Sequence, residues 1–386
     1  MIKRVEALLR HRNNGINMNT QSFSTGRDPQ ADRLRQLGWN EHFERQASIQ
    51  AINLAHVARV LSAQRNHFLV TDGQSEWFCT PSGKIRHHRH QDYPVTGDWV
   101  FTEENVIKQV VPRKNILCRG EAGLRGKQAG AVQRDQPLAA NIDTVFIVSG
   151  LDRDYNPRRI ERFLTLVYNC GIAPVVVLTK ADLHDSPDVF RDEVESIAFG
   201  VPVVLTSTTD GRGINELRNY LNAGQTACML GSSGAGKSSL ANMLYGSEIQ
   251  ATAAVSESVG KGRHTTTSRE LIAMPQGGFL MDNPGIREIA FSKSGDGLEA
   301  TFADIEELAE ACRFANCSHQ HEPGCAVRHA VESGELLQER LENYHKMQRE
   351  MEYVQARSEK SADSIEKDRW RDVAMEIKRM NTRKKH

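Results

Sequence analysis

Gly231, Gly236, Lys237 and Ser238 fall in the spacing G-x-x-x-x-G-K-S/T, within "GSSGAGKSS" over 231–239, between an apolar run and a helix-forming run. Such a loop can turn the backbone N–H groups of Gly231, Ser232, Ser233, Gly234, Ala235 and Gly236 toward phosphate oxygens. Lys237 can then reach the β- and γ-phosphates, and the Ser238 hydroxyl, with Ser239 beside it, can ligate Mg²⁺. This is nucleoside triphosphate chemistry. The base follows from "TKAD" over 179–182. An Asp182 carboxylate can accept from N1–H and the exocyclic amine of guanine, a donor pair that adenine lacks, while the Lys180 stem packs over the purine. Ala181 completes the segment. Thr179 stands where the common N-K-x-D pattern has asparagine, which is expected to loosen the bracing of the loop more than base discrimination. Ser207, in "TST" over 206–208, is placed to back the guanine. GTP rather than ATP is the expected nucleotide.

Two downstream segments complete the set. "GRHTTTSRE" over 262–270 is a polar loop in which Thr266 can supply a second Mg²⁺ ligand, and "FLMDNPG" over 279–285 is an apolar run ending in D-x-x-G. Asp282 would hold Mg²⁺ through water, and the Gly285 N–H would meet the γ-phosphate. The next residue is Ile286, where many GTPases carry a water-orienting glutamine. Slow hydrolysis by the isolated chain is therefore expected, with acceleration when RNA contact reorders the 262–270 loop. His264 can position the attacking water or can cap its own loop, and the sequence leaves both open.

Cys312, Cys317, His319 and Cys325 give C-x4-C-x-H-x5-C in "CRFANCSHQHEPGC". Three thiolates and an imidazole suit a closed, tetrahedral structural zinc site. His321 competes with His319, which the spacing favours. The other four of the seven cysteines are scattered, so no disulfide framework is expected.

These groups need elements to hold them. "DTVFIVSG" (143–150), "APVVVLTKAD" (173–182) and "VPVVLTST" (201–208) are continuous Val/Ile-rich runs, the pattern of central parallel strands covered on both faces. "NPRRIERFLTLVYNCG" and "DVFRDEVESIAFG" lie between them with helical spacing, each ending at glycine. The guanine-reading segments thus precede the phosphate loop, the reverse of the ordinary GTPase order, and the domain is a circular permutation spanning 140–291. Upstream, 48–115 alternates short β-prone runs with turn residues, as in a small all-β barrel of oligonucleotide-binding type, and basic residues exceed acidic ones between Arg59 and Arg134, which suits a polyanion. Its Trp77, Phe78, Trp99 and Phe101 are expected in the core more than as base-stacking platforms. The remaining segments are a weakly ordered leader (1–47), a linker (116–139), a helical zinc-binding module (292–350) and a charged helical tail (351–386).

With 386 residues, 39% of them hydrophobic, the chain can bury several cores. Lys+Arg and Asp+Glu are both 49, so net charge selects no partner. No apolar run reaches the roughly 18–20 residues that span a bilayer, and no secretory signal opens the chain, so a cytoplasmic protein without a membrane partner is expected. Two other classes stay open: a phosphate-loop ATPase or small-molecule kinase, which Asp182 opposes, and a non-catalytic RNA-binding module, which the intact Mg²⁺ set opposes.

Taken together, "TKAD", "GSSGAGKSS", "GRHTTT", "DNPG" and "CRFANCSHQHEPGCAV", in this unusual order over roughly 48–345, make the chain similar to the RsgA (YjeQ/YloQ) family of small ribosomal subunit biogenesis GTPases. The resemblance implies a monomer that binds the 30S subunit through 16S rRNA, hydrolyses GTP there during late maturation, and leaves in the GDP state.

Overall fold

The computed structural model describes residues 29–87, 93–120, 135–246, 269–282 and 296–359, and the chain divides into two compact units, one ending at Pro112 and the other starting at Arg113. The first unit opens with helices α1 (Pro29–Gln36) and α2 (Glu41–Ile49), the latter capped by Asn40, whose side chain accepts from the His42 N–H. Strands β1 (Val57–Gln64), β2 (His67–Thr71) and β3 (Glu76–Pro81), helix α3 (Gly83–His87), and strands β4 (Trp99–Glu103) and β5 (Val106–Val110) follow. The strand order is β1-β2-β3-β5-β4, and β4 returns to pair with β1, closing a five-stranded barrel. Register shifts at Val60/Ser62 and at Phe101/Thr102 bend the sheet. The interior is filled by Ala58, Val60, Phe68, Val70, Cys79, Ile85, Val100 and Ile107.

Residues 29–47, expected within a weakly ordered leader, belong mostly to these two helices. The reason is aromatic packing that a periodicity count over a polar stretch misses: Trp39 meets Trp99 edge-on at 4.9 Å between centroids, and Phe43 lies 5.9 Å from the same ring. Buried Arg59 joins in by donating to the Leu37 carbonyl. Trp99 is accordingly core, whereas Phe78 is exposed.

The second unit begins with a hairpin of β6 (Ile116–Gly120) and β7 (Asp135–Ala140), so the expected linker carries an antiparallel pair. A sheet of order β10-β9-β8-β11-β13-β12 follows, from β8 (Thr144–Gly150), β9 (Ala173–Thr179), β10 (Val203–Leu205), β11 (Thr226–Leu230), β12 (Arg269–Ala273) and β13 (Phe279–Asp282). β12 pairs antiparallel with β13, and the other pairs are parallel. Helices α4 (Pro157–Asn169), α5 (Asp188–Glu195), α6 (Ile214–Arg218) and α7 (Lys237–Tyr245) connect or follow the strands. Phe146, Val148, Val175, Val177, Met229, Leu240 and Leu280 share one core. β8, β9 and β11 are almost wholly buried, which explains their continuous apolar character.

Among the described residues of the C-terminal part there are four helices: α8 (Asp296–Thr301), α9 (Ala303–Ala309), α10 (Ala326–Ser333) and α11 (Gln338–Glu359). A buried polar network ties α8, α9 and α11 to α4. Arg340 of α11 donates to Glu161 of α4, to both Asp304 oxygens and to the Thr301 carbonyl, while Asn343 donates to Glu161. The Arg340 and Glu161 side chains are only 5% and 4% exposed, so neither charge can be recovered by water. Arg340→Ala would strand Glu161 and Asp304, and is expected to lower stability by about 3–5 kcal/mol. The check is the urea midpoint, with Lys346→Ala on the exposed face of α11 as a near-neutral comparison.

Candidate functional site

The phosphate loop sits between β11 and α7, at the carboxyl end of the parallel strands. Only glycine fits at its first position, because a Cβ on Gly231 would stand 2.2 Å from the Val148 carbonyl oxygen. Gly236 has φ +94° and lies close against Thr179. Lys237 opens α7, with Ser238 and Ser239 exposed in the same first turn. Among the loop carbonyls, four are held by side-chain donors. Lys237 Nζ donates to Gly231 O (2.8 Å) and Ser232 O (2.5 Å), Lys180 Nζ to Gly234 O (2.7 Å), and Thr179 Oγ1 to Ala235 O (2.6 Å). Fixing the carbonyls fixes the peptide planes, and therefore the N–H groups on their opposite edges. The loop is thus preorganised for an anion, and the helix dipole of α7 adds to it.

Two of those donors come from the guanine-reading segment, 50 or more residues upstream. β9 ends at Thr179, Lys180 adopts a left-handed conformation (φ 62°), and a short turn over Ala181–Leu183 presents Asp182. The Ala181 N–H donates to the Thr206 carbonyl (3.1 Å), so segments 179–182 and 206–208 are linked through the backbone. Ser207 is buried, and its hydroxyl accepts from the Thr209 N–H at 3.1 Å. Asp182 is exposed, and its carboxyl is held below the usual range first by a hydrogen bond from Ser207 and also by one from Thr209, whose hydroxyl lies at 3.2 Å. It therefore presents an acceptor edge at neutral pH.

One expectation needs correcting. Thr179 does not loosen the bracing: its hydroxyl reaches the Ala235 carbonyl directly because the loop, with glycine at 236, passes close enough for a short side chain to span the gap. Two residues that belong to no motif also enter the site. Asp152 accepts from Lys180 Nζ at 2.7 Å, which with the Asp154 N–H holds its carboxyl below the usual range. Asp154 accepts from the Ser232 hydroxyl. The available signal was position: both follow the carboxyl end of β8, the neighbour of β11.

Asp282 is the last residue of β13, which runs parallel to β11 and so ends on the side from which the phosphate loop departs. His264, Thr266, Gly285 and Ile286 lie outside the described residues.

Far from the loop in sequence, Cys312, Cys317, His319 and Cys325 bring one ligand atom each to within 4.8 Å of one another. Tetrahedral bonds of about 2.3 Å to sulfur and about 2.0–2.1 Å to nitrogen imply edges of about 3.8 Å between sulfurs and about 3.5 Å from sulfur to nitrogen. The observed values are 3.8 Å for Cys312–Cys325, and 3.6 and 3.5 Å from these sulfurs to His319 Nδ1. The residues fit zinc. His319 rather than His321 is in the group, and it is buried while His321 is exposed. The Glu322 carboxylate shapes the intervening loop by accepting from the Ser318 N–H and hydroxyl and from the Gln320 and His321 N–H groups. Cys325 caps α10, its sulfur accepting from the Arg328 N–H.

A profile described as RsgA GTPase matches residues 110–292. Another, described as ABC transporter, matches 214–376; it takes in the phosphate loop but not the 179–182 segment hydrogen-bonded to it. A small ribosomal subunit biogenesis GTPase RsgA from Syntrophotalea carbinolica is 40% identical over 356 residues, covering 90% of this chain and 97% of that protein. An RsgA 2 from Vibrio parahaemolyticus is 39% identical over 83% of this chain and 86% of its own length. Among solved structures, YjeQ from Thermotoga maritima is similar at 30% identity and TM-score 0.56, covering 77% of this chain and 98% of its own. YloQ, described as a circularly permuted GTPase, is similar at 25% identity and TM-score 0.53, covering 78% of this chain and 95% of its own.

Proposed function

Because the chain belongs to the RsgA family of small ribosomal subunit biogenesis GTPases, and is a circularly permuted GTP hydrolase, we propose that it hydrolyses GTP on the 30S subunit, bound through 16S rRNA, during late maturation. The observation that carries this reading is the set of hydrogen bonds from Thr179 and Lys180 to the phosphate loop, which joins the guanine-reading segment to Lys237 in one site. No helix among the described residues is long and apolar enough to cross a membrane. The reading places a monomer in the cytoplasm, where subunits are assembled.

In this reading Asp182 selects guanine, with Lys180 over the ring and Ser207 behind it. The N–H groups of 231–236 and the Lys237 ammonium hold the phosphates. Ser238, Thr266 and Asp282 would hold Mg²⁺, which would supply positive charge beside the phosphates; exposed Ser238 and the end of β13 suit that role. Water attacks the γ-phosphorus, the bond to the β–γ bridging oxygen breaks, and GDP and phosphate result. The Gly285 N–H stabilises the γ-phosphate, and His264 positions the water in place of the glutamine that Ile286 replaces.

GTP turnover measured with and without purified small ribosomal subunits tests the proposal. Slow turnover alone and at least tenfold stimulation by subunits is expected, as for other GTPases completed by a partner. Unstimulated turnover, or equal stimulation with ATP, would refute it.

A further inference from the structure

We propose that Asp154 is a positioning residue of the nucleotide site, holding the Ser232 hydroxyl and with it the entry of the phosphate loop. The proposal rests on the reading of 231–238 as the loop that binds GTP. Asp154 lies four residues beyond the end of β8, on the turn that leads into α4. One carboxylate oxygen accepts from Ser232 Oγ and from Arg159 Nη1, and the other lies 3.5 Å from the Gly150 N–H. Its side chain is 16% exposed. Three elements therefore converge on one carboxylate: the end of β8, the first turn of α4 and the loop itself.

The chemistry of each partner is specific. A carboxylate only accepts, so the Ser232 hydroxyl must donate to it, which sets the rotamer of Ser232 at the second position of the loop. An isolated negative charge beside a triphosphate would oppose binding. Arg159 cancels that charge at 2.5 Å, and Arg159 is itself fixed at the capped start of α4, where Asn156 Oδ1 accepts from its N–H at 3.1 Å. The result is a neutral clamp outside the loop. It acts at the loop's first half, whereas Thr179 and Lys180 hold the second half.

The test uses the full chain and fluorescent GDP, with steady-state GTP turnover alongside. Asp154→Ala and Ser232→Ala are each expected to weaken GDP binding and raise KM about tenfold, the effect of losing one hydrogen bond to a charged group, with kcat little changed. The double variant is expected to be no weaker than the worse single variant, because both remove the same interaction. Asp154→Asn keeps an acceptor for Ser232 and should recover part of the affinity. If Asp154→Ala does not fold, Ser232→Ala carries the test, because it removes the same hydrogen bond and leaves the Arg159–Asp154 pair in place: unchanged GDP affinity and KM in that variant would overturn the proposal. A lowered melting temperature with unchanged GDP affinity, or losses that add in the double variant, would overturn the proposal. Lys237→Ala separates the two readings: if it abolishes GDP binding while Asp154 variants bind normally, only the clamp fails; if it binds as wild type, the loop assignment fails too.

Discussion

Stripping the metal from Cys312, Cys317, His319 and Cys325 is expected to unfold the segment from 310 to 325 and fray α10, while GDP binding survives. Between the end of α9 at Ala309 and the start of α10 at Ala326 there is no helix or strand, and of residues 310–325 only His319 and Cys325 are buried. No apolar core is available there to offset chain entropy, so the metal must supply the folding energy. Structural zinc in small peptides contributes about 10–16 kcal/mol, comparable to the roughly 5–15 kcal/mol net stability of a whole domain. α11 is held separately, by Arg340 on Glu161 and Asp304, which is why the loss should stay local. Metal analysis, limited proteolysis and GDP affinity before and after chelation provide the check. One zinc per chain, with His319→Ala losing it and His321→Ala keeping it, is the expected pattern. Retained protease resistance in zinc-free His319→Ala protein would contradict the assignment.

What the sequence disclosed, and what it hid, follows from where chemistry constrains residue type. Phosphate binding by backbone N–H groups demands glycines and a lysine at fixed spacing, and metal ligation demands cysteines and histidine, so Gly231–Ser238 and the Cys312–Cys325 set are readable without coordinates. The permuted order is readable for the same reason, since "TKAD" and the phosphate loop are each recognisable alone. Asp152 and Asp154 were hidden because a carboxylate that braces a loop can arrive from any neighbouring turn, and nothing in "LDRDYNP" distinguishes it from a solvated bend. The bracing by Thr179 was misjudged because whether a short side chain reaches depends on how closely two segments pass, which the sequence does not show. The helices over 29–49 were underestimated because their docking depends on Trp39 and Phe43 meeting Trp99, a ring distant from both in sequence. The antiparallel strand β12 lies beside the apolar run that became β13, and pairing, rather than its own pattern, makes it a strand.

Asp182 carries the other large effect. Its carboxylate is exposed, ionised and oriented by Ser207 and Thr209, and it is tied through Ala181, Lys180 and Thr179 to the phosphate loop. Two hydrogen bonds to this charge are expected to contribute about two to four orders of magnitude to guanine affinity. Asparagine at the same position keeps an acceptor for N1–H but turns donors toward the exocyclic amine, whereas xanthine offers a carbonyl there. The decisive measurement is the affinity of Asp182→Asn for GDP and for xanthosine diphosphate, against wild type. A site built jointly from 179–182 and 231–238 predicts that GDP binding falls by at least a hundredfold and that xanthosine diphosphate becomes the preferred ligand. Unchanged GDP affinity, with no gain for xanthosine, would place the purine elsewhere and contradict the account.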